Sequence, residues 1–215
     1  MARDKRPRWY FSLHSPYSWF AWRDLTERYP DVLERIGWIP YWEPDGRSRE
    51  LLASAGVDLP LIAMSRAKAV YVRQDALRVA HSRGWKMTWP EPATGPWERA
   101  HLGYLVAAAE GAGPAFVAAA YRARWEDGRD ITDRATIADI ATGVGLDGER
   151  VASAADDAAI RQEGVGCLAR AERDSVFGVP FFVHNHDRYW GAERVAAFAE
   201  AVREHVVPPA AAEAG

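Results

Sequence analysis

A chain of 215 residues, 48% of them hydrophobic, has apolar surface enough for one large domain or for a core with a sizeable insertion. Its formal net charge of -3, with both signs interspersed, provides no basic stripe for nucleic acid or for an anionic membrane, and leaves small molecules or proteins as partners. The single cysteine, Cys167, excludes an internal disulfide, a Cys-x-x-Cys redox pair and a multi-thiolate zinc site. The start, MARDKRPRW, lacks the apolar segment of a secretion signal, and no run of about eighteen apolar residues follows, so the expected location is the cytoplasm.

In chain order, the aromatic-rich stretch Arg8 to Leu13 predicts a strand. Apolar residues at Tyr17, Phe20, Ala21 and Leu25 then predict a helix from Pro16 to Tyr29, with Ser15 as its N-cap and Pro16 at its first position. Tyr29-Pro30 ends it, and Trp38 to Trp42 predicts a second strand, placed near an edge or bulge by Pro40. From Pro44 to about Ser175 only helical patterns recur, over 66–82, 97–109, 114–125, 135–142 and 158–173, with Thr132 as a further N-cap. Strand character returns in Pro180 to His184 and in Arg188 to Trp190, across the turn-forming Asn185-His186-Asp187. A helix over Ala192 to His205 and an unpatterned tail complete the order β-α-β, helical block, β-β-α.

Ser15 stands where a strand hands over to a helix N-terminus, a place of unpaired N–H groups and positive dipole that attracts an anion. Capping alone accounts for it locally; the functional alternative is that its hydroxyl donates to a thiolate or oxyanion held there. No base-activated nucleophile pattern surrounds it. Ser18, three residues on, shares its helix face, a spacing that Cys-x-x-Cys enzymes use. Val179-Pro180, just before a strand, is a position at which a cis peptide bond can form.

FSLHSPYSW near the N-terminus, ARWEDGRDITD at 123–133 and VFGVPFFV…RYWGAERV near the C-terminus together resemble the 2-hydroxychromene-2-carboxylate isomerase and kappa-class glutathione transferase family. The likeness covers about residues 8–205. It implies an α/β fold: a thioredoxin-like core at 8–46 and 176–207 and a large all-helical insertion of DsbA/kappa type at 47–175; the unpatterned tail at 208–215 is expected to be disordered on its composition alone. It implies that Ser15 takes the place of a redox cysteine and hydrogen-bonds the sulfur of a bound thiol, glutathione or another of low molecular weight, with no metal. It also implies a cis bond at Val179-Pro180, a thiol contact through the Val179 backbone, a carboxylate contact from Glu193 and a part for Lys68 in the site. A homodimer is implied as well. The sequence departs from the family pattern at Gly191-Ala192-Glu193, where the carboxylate is a methylene longer, and in EPATGPWERAH, which lacks the usual Asn.

Beside the resemblance, His14 flanks Ser15 and titrates near neutrality when unperturbed. Trp19, Trp22 and Trp42 cluster in the same region as an apolar wall, Glu43 follows the second strand as a cleft carboxylate, and Tyr17 beside Ser15 is a further thiol- or substrate-binding candidate. His184 and His186 lack a third metal ligand, and Cys167 lies in a helical run of small residues. The expected activity is cis–trans isomerisation of a conjugated C=C bond in a small unsaturated ketone, acid or polyene thioester, free or carrier-bound. The catalytic residues expected for it are Ser15, Lys68 and His14. The alternatives are a kappa-like thiol transferase and a non-catalytic thioredoxin-like binding module; dithiol oxidoreduction is excluded by the lone cysteine.

Overall fold

The computed structural model describes residues 6–60 and 64–204. The expected tail at 208–215 and the last residue of the expected final helix, His205, lie outside the described residues. Four short strands, β1 (Arg8–Phe11), β2 (Gly37–Pro40), β3 (Phe181–His184) and β4 (Asp187–Trp190), form one sheet in the order β2-β1-β3-β4. β1 pairs parallel with β2 and antiparallel with β3, which turns back into β4 through Asn185, a non-glycine residue at φ 53 that its short polar side chain makes tolerable. The strands alternate faces. Trp9 stacks at 6.4 Å on Phe182, which stacks at 4.7 Å on Phe198, whereas Tyr10, on the other face, donates its hydroxyl to Asp174 at 2.5 Å.

The parallel β1–β2 pair requires a crossover, and α1 (Pro16–Arg28) supplies it by burying Trp19, Phe20, Ala21 and Leu25. Pro30 ends that helix as expected but also starts a single further turn, α2 (Pro30–Leu33), because proline suits the first position of a helix. After β2 the chain enters the helical insertion: α3 (Gly46–Ser54), α4 (Arg66–Ser82), α5 (Glu98–Ala109), α6 (Gly113–Tyr121), α7 (Arg134–Gly143), α8 (Gly148–Ala152) and α9 (Ala158–Arg173). α5 is its axis, buried on all sides from Ala100 to Ala107 and packed against α6, α7, α8 and α9. The Ala192–Arg194 3-10 turn and α10 (Val195–Glu204) close the fold against α1 and β3. This is a thioredoxin-like core carrying a helical insertion.

Some expected boundaries shift for identifiable reasons. β2 ends at Pro40, two residues before the expected Trp42, although Tyr41 still donates to Phe11 O at 2.7 Å. The helix expected over 114–125 breaks at Tyr121 into a π-helical turn, Arg122–Glu126. Asp133 rather than Thr132 caps α7, accepting from Thr136 N–H at 2.8 Å. Thr132 is instead buried, its hydroxyl oxygen accepting from the N–H groups of Thr94 and Gly95. α3 and α8, too short for a clear period, are additions to the expected elements. Among the described residues no helix is long and apolar enough to cross a membrane.

Candidate functional site

Ser15 caps α1: its backbone is extended, and its Oγ accepts from Ser18 N–H at 3.2 Å. Pro16 has no N–H, and Trp19 N–H is taken by Ser15 O at 3.1 Å, so Tyr17 N–H is left as the outward first-turn donor. The Ser15 hydroxyl accepts but has no acceptor for its own proton among the described residues, and 8% of the residue is exposed. Opposite it runs the loop before β3, whose Val179-Pro180 bond is cis. Extending the β1–β3 register by two places sets Pro180 beside Phe11 and Val179 beside Ser12. The free donors of α1 and the Val179 loop therefore meet at the C-terminal end of β1.

Behind Ser15 lies a hydrogen-bonded chain of side chains. His101, fully buried on α5, places Nδ1 at 2.7 Å from Trp97 O, so Nδ1 carries the proton and Nε2 accepts from Leu13 N–H at 3.0 Å. Ser12 Oγ lies 3.1 Å from the same Nε2 and 3.0 Å from His14 Nδ1. Were the Ser12 proton turned to His14, two lone pairs would face each other across the Ser12–His101 gap. One arrangement that satisfies these distances runs from His14 Nδ1–H to Ser12 Oγ and from Ser12 O–H to His101 Nε2, where it shares the one lone pair with Leu13 N–H; it leaves His14 Nε2 unprotonated. Burial first, then the neighbouring His101 and Arg124, hold the His14 imidazole well below its ordinary pKa; burial pushes His101 down to about 4. Both rings are neutral at neutral pH. His14 stacks on Trp97 at 4.4 Å, and Trp42 on His101 at 5.2 Å.

Two apolar walls flank this face. Of the described large hydrophobic side chains, the exposed ones are Met64, Val70 and Tyr71, at and before the start of α4, and Phe177 and Trp190, on either side of Pro180. Phe177 and Trp190 pack edge-on at 5.0 Å, and a Cβ on Gly178 would meet Trp190 Nε1 at 3.0 Å, so glycine there lets the indole lie on the loop. α4 is tied to α1 by Tyr17 O–H donating to Asp75 at 2.8 Å and by Arg83–Asp24 at 2.8 Å. Lys68 and Tyr71 share the helix stripe that carries Asp75, which aims Lys68 along the Tyr17 side about 10 Å nearer the start of α4. A separate concavity of about 380 Å³, lined by Leu33, Trp38, Tyr104 and Pro114, lies on the β2 side and lacks such a donor set.

The DSBA-like thioredoxin domain model matches residues 8–203. The chain belongs to that family. Among solved structures, a 2-hydroxychromene-2-carboxylate isomerase superposes with a TM-score of 0.72 at 20% identity, over 92% of this chain and 94% of the other. A probable DsbA oxidoreductase from Streptomyces coelicolor gives 0.69 at 20% identity, over 97% and 94%. The cytosolic disulfide reductase DsbM from Pseudomonas aeruginosa, solved with GSH, gives 0.63 at 16% identity, over 93% and 98%. No curated protein matches this chain.

Within this DSBA-like frame, the expected site residues separate into two groups. Ser15, His14, Tyr17, Val179 and Pro180 come together at the α1 start. Ser18 is fully buried and its Oγ accepts from Ser12 N–H at 3.2 Å, so it secures the β1–α1 turn and has no surface for a ligand. Trp42 is 1% exposed because the chain after Pro40 turns inward and stacks it on His101; it backs the site without lining it. Glu43 points outward and pairs with Arg49 at 3.0 Å. The Glu193 carboxylate is exposed and folds back over Gly191, whose φ of 105 and lack of a Cβ make room for it. Lys68 is exposed. Cys167 sits within α9 beside Tyr104, and burial pushes its thiol up to about 12. Among the described residues no group of three or more His, Cys, Asp or Glu is placed to hold a metal ion.

Sequence reasoning missed Ser12, His101, Trp97, Asp75 and Arg124. The Trp97–His101 pair, four apart on a strongly apolar helix, was the available signal for an inward-facing histidine.

Proposed function

We propose that the protein is a cis–trans isomerase of a conjugated C=C bond in a small unsaturated ketone, acid or polyene thioester, working with a borrowed low-molecular-weight thiol such as glutathione. The observation that carries this is the Ser15 hydroxyl, whose proton has no acceptor among the described residues, at a helix N-terminus facing the Val179 loop. The donors present suit sulfur: Ser15 O–H and Tyr17 N–H converge where the α1 dipole favours an anion. When bound, the thiol supplies a nucleophile that adds reversibly to the conjugated system, so that a double bond becomes one that rotates. The chain does the rest. His14 Nε2, kept unprotonated by the Ser12–His101 chain, accepts the thiol proton and returns it; Ser15 holds the thiolate; Lys68, on the Tyr71–Asp75 stripe, offsets negative charge developing on the carbonyl oxygen. The walls of Tyr71, Phe177 and Trp190 suit an extended apolar substrate.

The similarity to the 2-hydroxychromene-2-carboxylate isomerase and to a reductase solved with GSH supports the reading. Without a second cysteine the chain has no dithiol of its own to exchange. The test is isomerisation of a cis-configured conjugated keto acid by gel-filtered protein, with and without added glutathione, and mass analysis of the product. Thiol-dependent turnover with unchanged product mass is expected. Undiminished turnover without thiol overturns the thiol-assisted mechanism, and a product heavier by one thiol identifies a kappa-like transferase instead.

A further inference from the structure

Arg124 lies in the π-helical turn Arg122–Glu126 and is 7% exposed. Its guanidinium carbon sits 4.9 Å from the ring centre of Trp97 and 4.9 Å from that of Trp125, held by aromatic faces. Nε and Nη1 are buried without a partner, and no hydrogen bond or ion pair joins the group to any described residue. The carboxylate that acts on it from a distance, Asp130, has its oxygens taken by Thr94 and Thr132. Burial lowers the Arg124 pKa only to about 10, so it is charged at neutral pH, and the imidazoles beside it, His14 and His101, carry no compensating charge. A buried cation without a partner is costly, and Trp97 and Trp125 offset only part of that cost.

We infer that Arg124 is an anion-binding residue of the Ser15 face and receives the carboxylate of a planar conjugated substrate. A singly charged, planar group is the match for one guanidinium between two indoles. A doubly charged phosphate would need a second cation, whereas nearby Arg99 is engaged with Thr132 O and Lys68 stands on exposed α4. Trp97 carries both Arg124 and His14, so an acid end on Arg124 directs the conjugated chain along the indole toward His14 and Ser15. The inference rests on the proposed reading of this face as a small-molecule site and narrows its substrates to acids.

The test uses the full chain without thiol and without turnover. trans-Cinnamate and its neutral isostere cinnamamide are titrated by tryptophan fluorescence and calorimetry into wild type, Arg124→Met and Arg124→Lys. Wild type is expected to favour cinnamate over cinnamamide by about tenfold or more; Arg124→Met abolishes that preference and Arg124→Lys, lacking the planar fork, retains little of it. Because removal of an unpaired buried cation relieves a cost, Arg124→Met is expected to melt no lower than wild type. Equal binding of acid and amide by wild type, or an acid preference that survives in Arg124→Met, overturns the inference, as does a lowered melting temperature in Arg124→Met with cinnamate binding intact, which marks a structural arginine. If Arg124→Met fails to fold, an unchanged acid preference in Arg124→Lys overturns it. Absence of isomerisation alongside Arg124-dependent cinnamate binding overturns the isomerase reading alone.

Discussion

His101 gives the relay behind Ser15 a thermodynamic signature. Its imidazole is wholly buried and pushed down to about 4, against about 6.5 in an unfolded chain. Between those values the unfolded state binds more protons, so the stability His101 confers is complete above pH 6.5 and is lost as pH falls toward 4. Linkage over this shift gives a loss of about 2–3 kcal/mol between about pH 7.5 and about pH 4.5, a sizeable share of the 5–15 kcal/mol typical of a folded domain. His101→Gln removes the titration while keeping a donor and an acceptor for Trp97 O and Leu13 N–H. Urea unfolding of both proteins across this range is the assay, and the stability difference between them should close by about 2–3 kcal/mol toward acid. Parallel curves would refute the neutral, buried assignment of His101 and with it the tautomer assigned to His14.

Other outcomes follow from the same geometry. Ser12→Ala disconnects His14 Nδ1 from His101 and frees the ring to present either tautomer; turnover should fall by about tenfold or more with little change in KM, and an unchanged kcat would remove His14 as the base. Tyr17→Phe deletes the bond to Asp75; hydrogen exchange in α4 should accelerate by the equivalent of about 1–2 kcal/mol while the core strands keep their protection. Gly164→Ala drives a Cβ into Leu102 and to 3.0 Å from Trp42, with an expected destabilisation of about 1–3 kcal/mol in denaturant melts.

The sequence made the ends of this fold legible and left its middle vague. Ser15-Pro16 is a local signal with a local cause, so the α1 start could be placed to the residue, and the aromatic richness of β1 and β3 identified the central strands. The helical block was readable only as periodicity. Its shortest helices, α3 and α8, carry too few turns for a period, and the π-helical turn at Arg122 depends on packing. The candidate site divided in the same way. Residues adjacent in sequence to Ser15 were named, whereas His101, 89 positions from Ser12, is brought to it only by the packing of α5 behind β1. Trp42 and Ser18 looked available because exposure is a tertiary property: the turn after β2 buries one, and the β1–α1 hand-over occupies the other.

The central claim, that Ser15 holds sulfur the chain does not supply, is tested most directly by the ultraviolet thiolate absorbance of glutathione titrated with protein at about pH 7. Free glutathione is only about 3% ionised there on the ordinary thiol pKa of about 8.5. The protein's own Cys167, pushed up to about 12, adds no signal. The account predicts that wild type raises the thiolate absorbance, saturating at one equivalent, and that Ser15→Ala loses most of the increase. No increase with wild type, or an equal increase with Ser15→Ala, would contradict it.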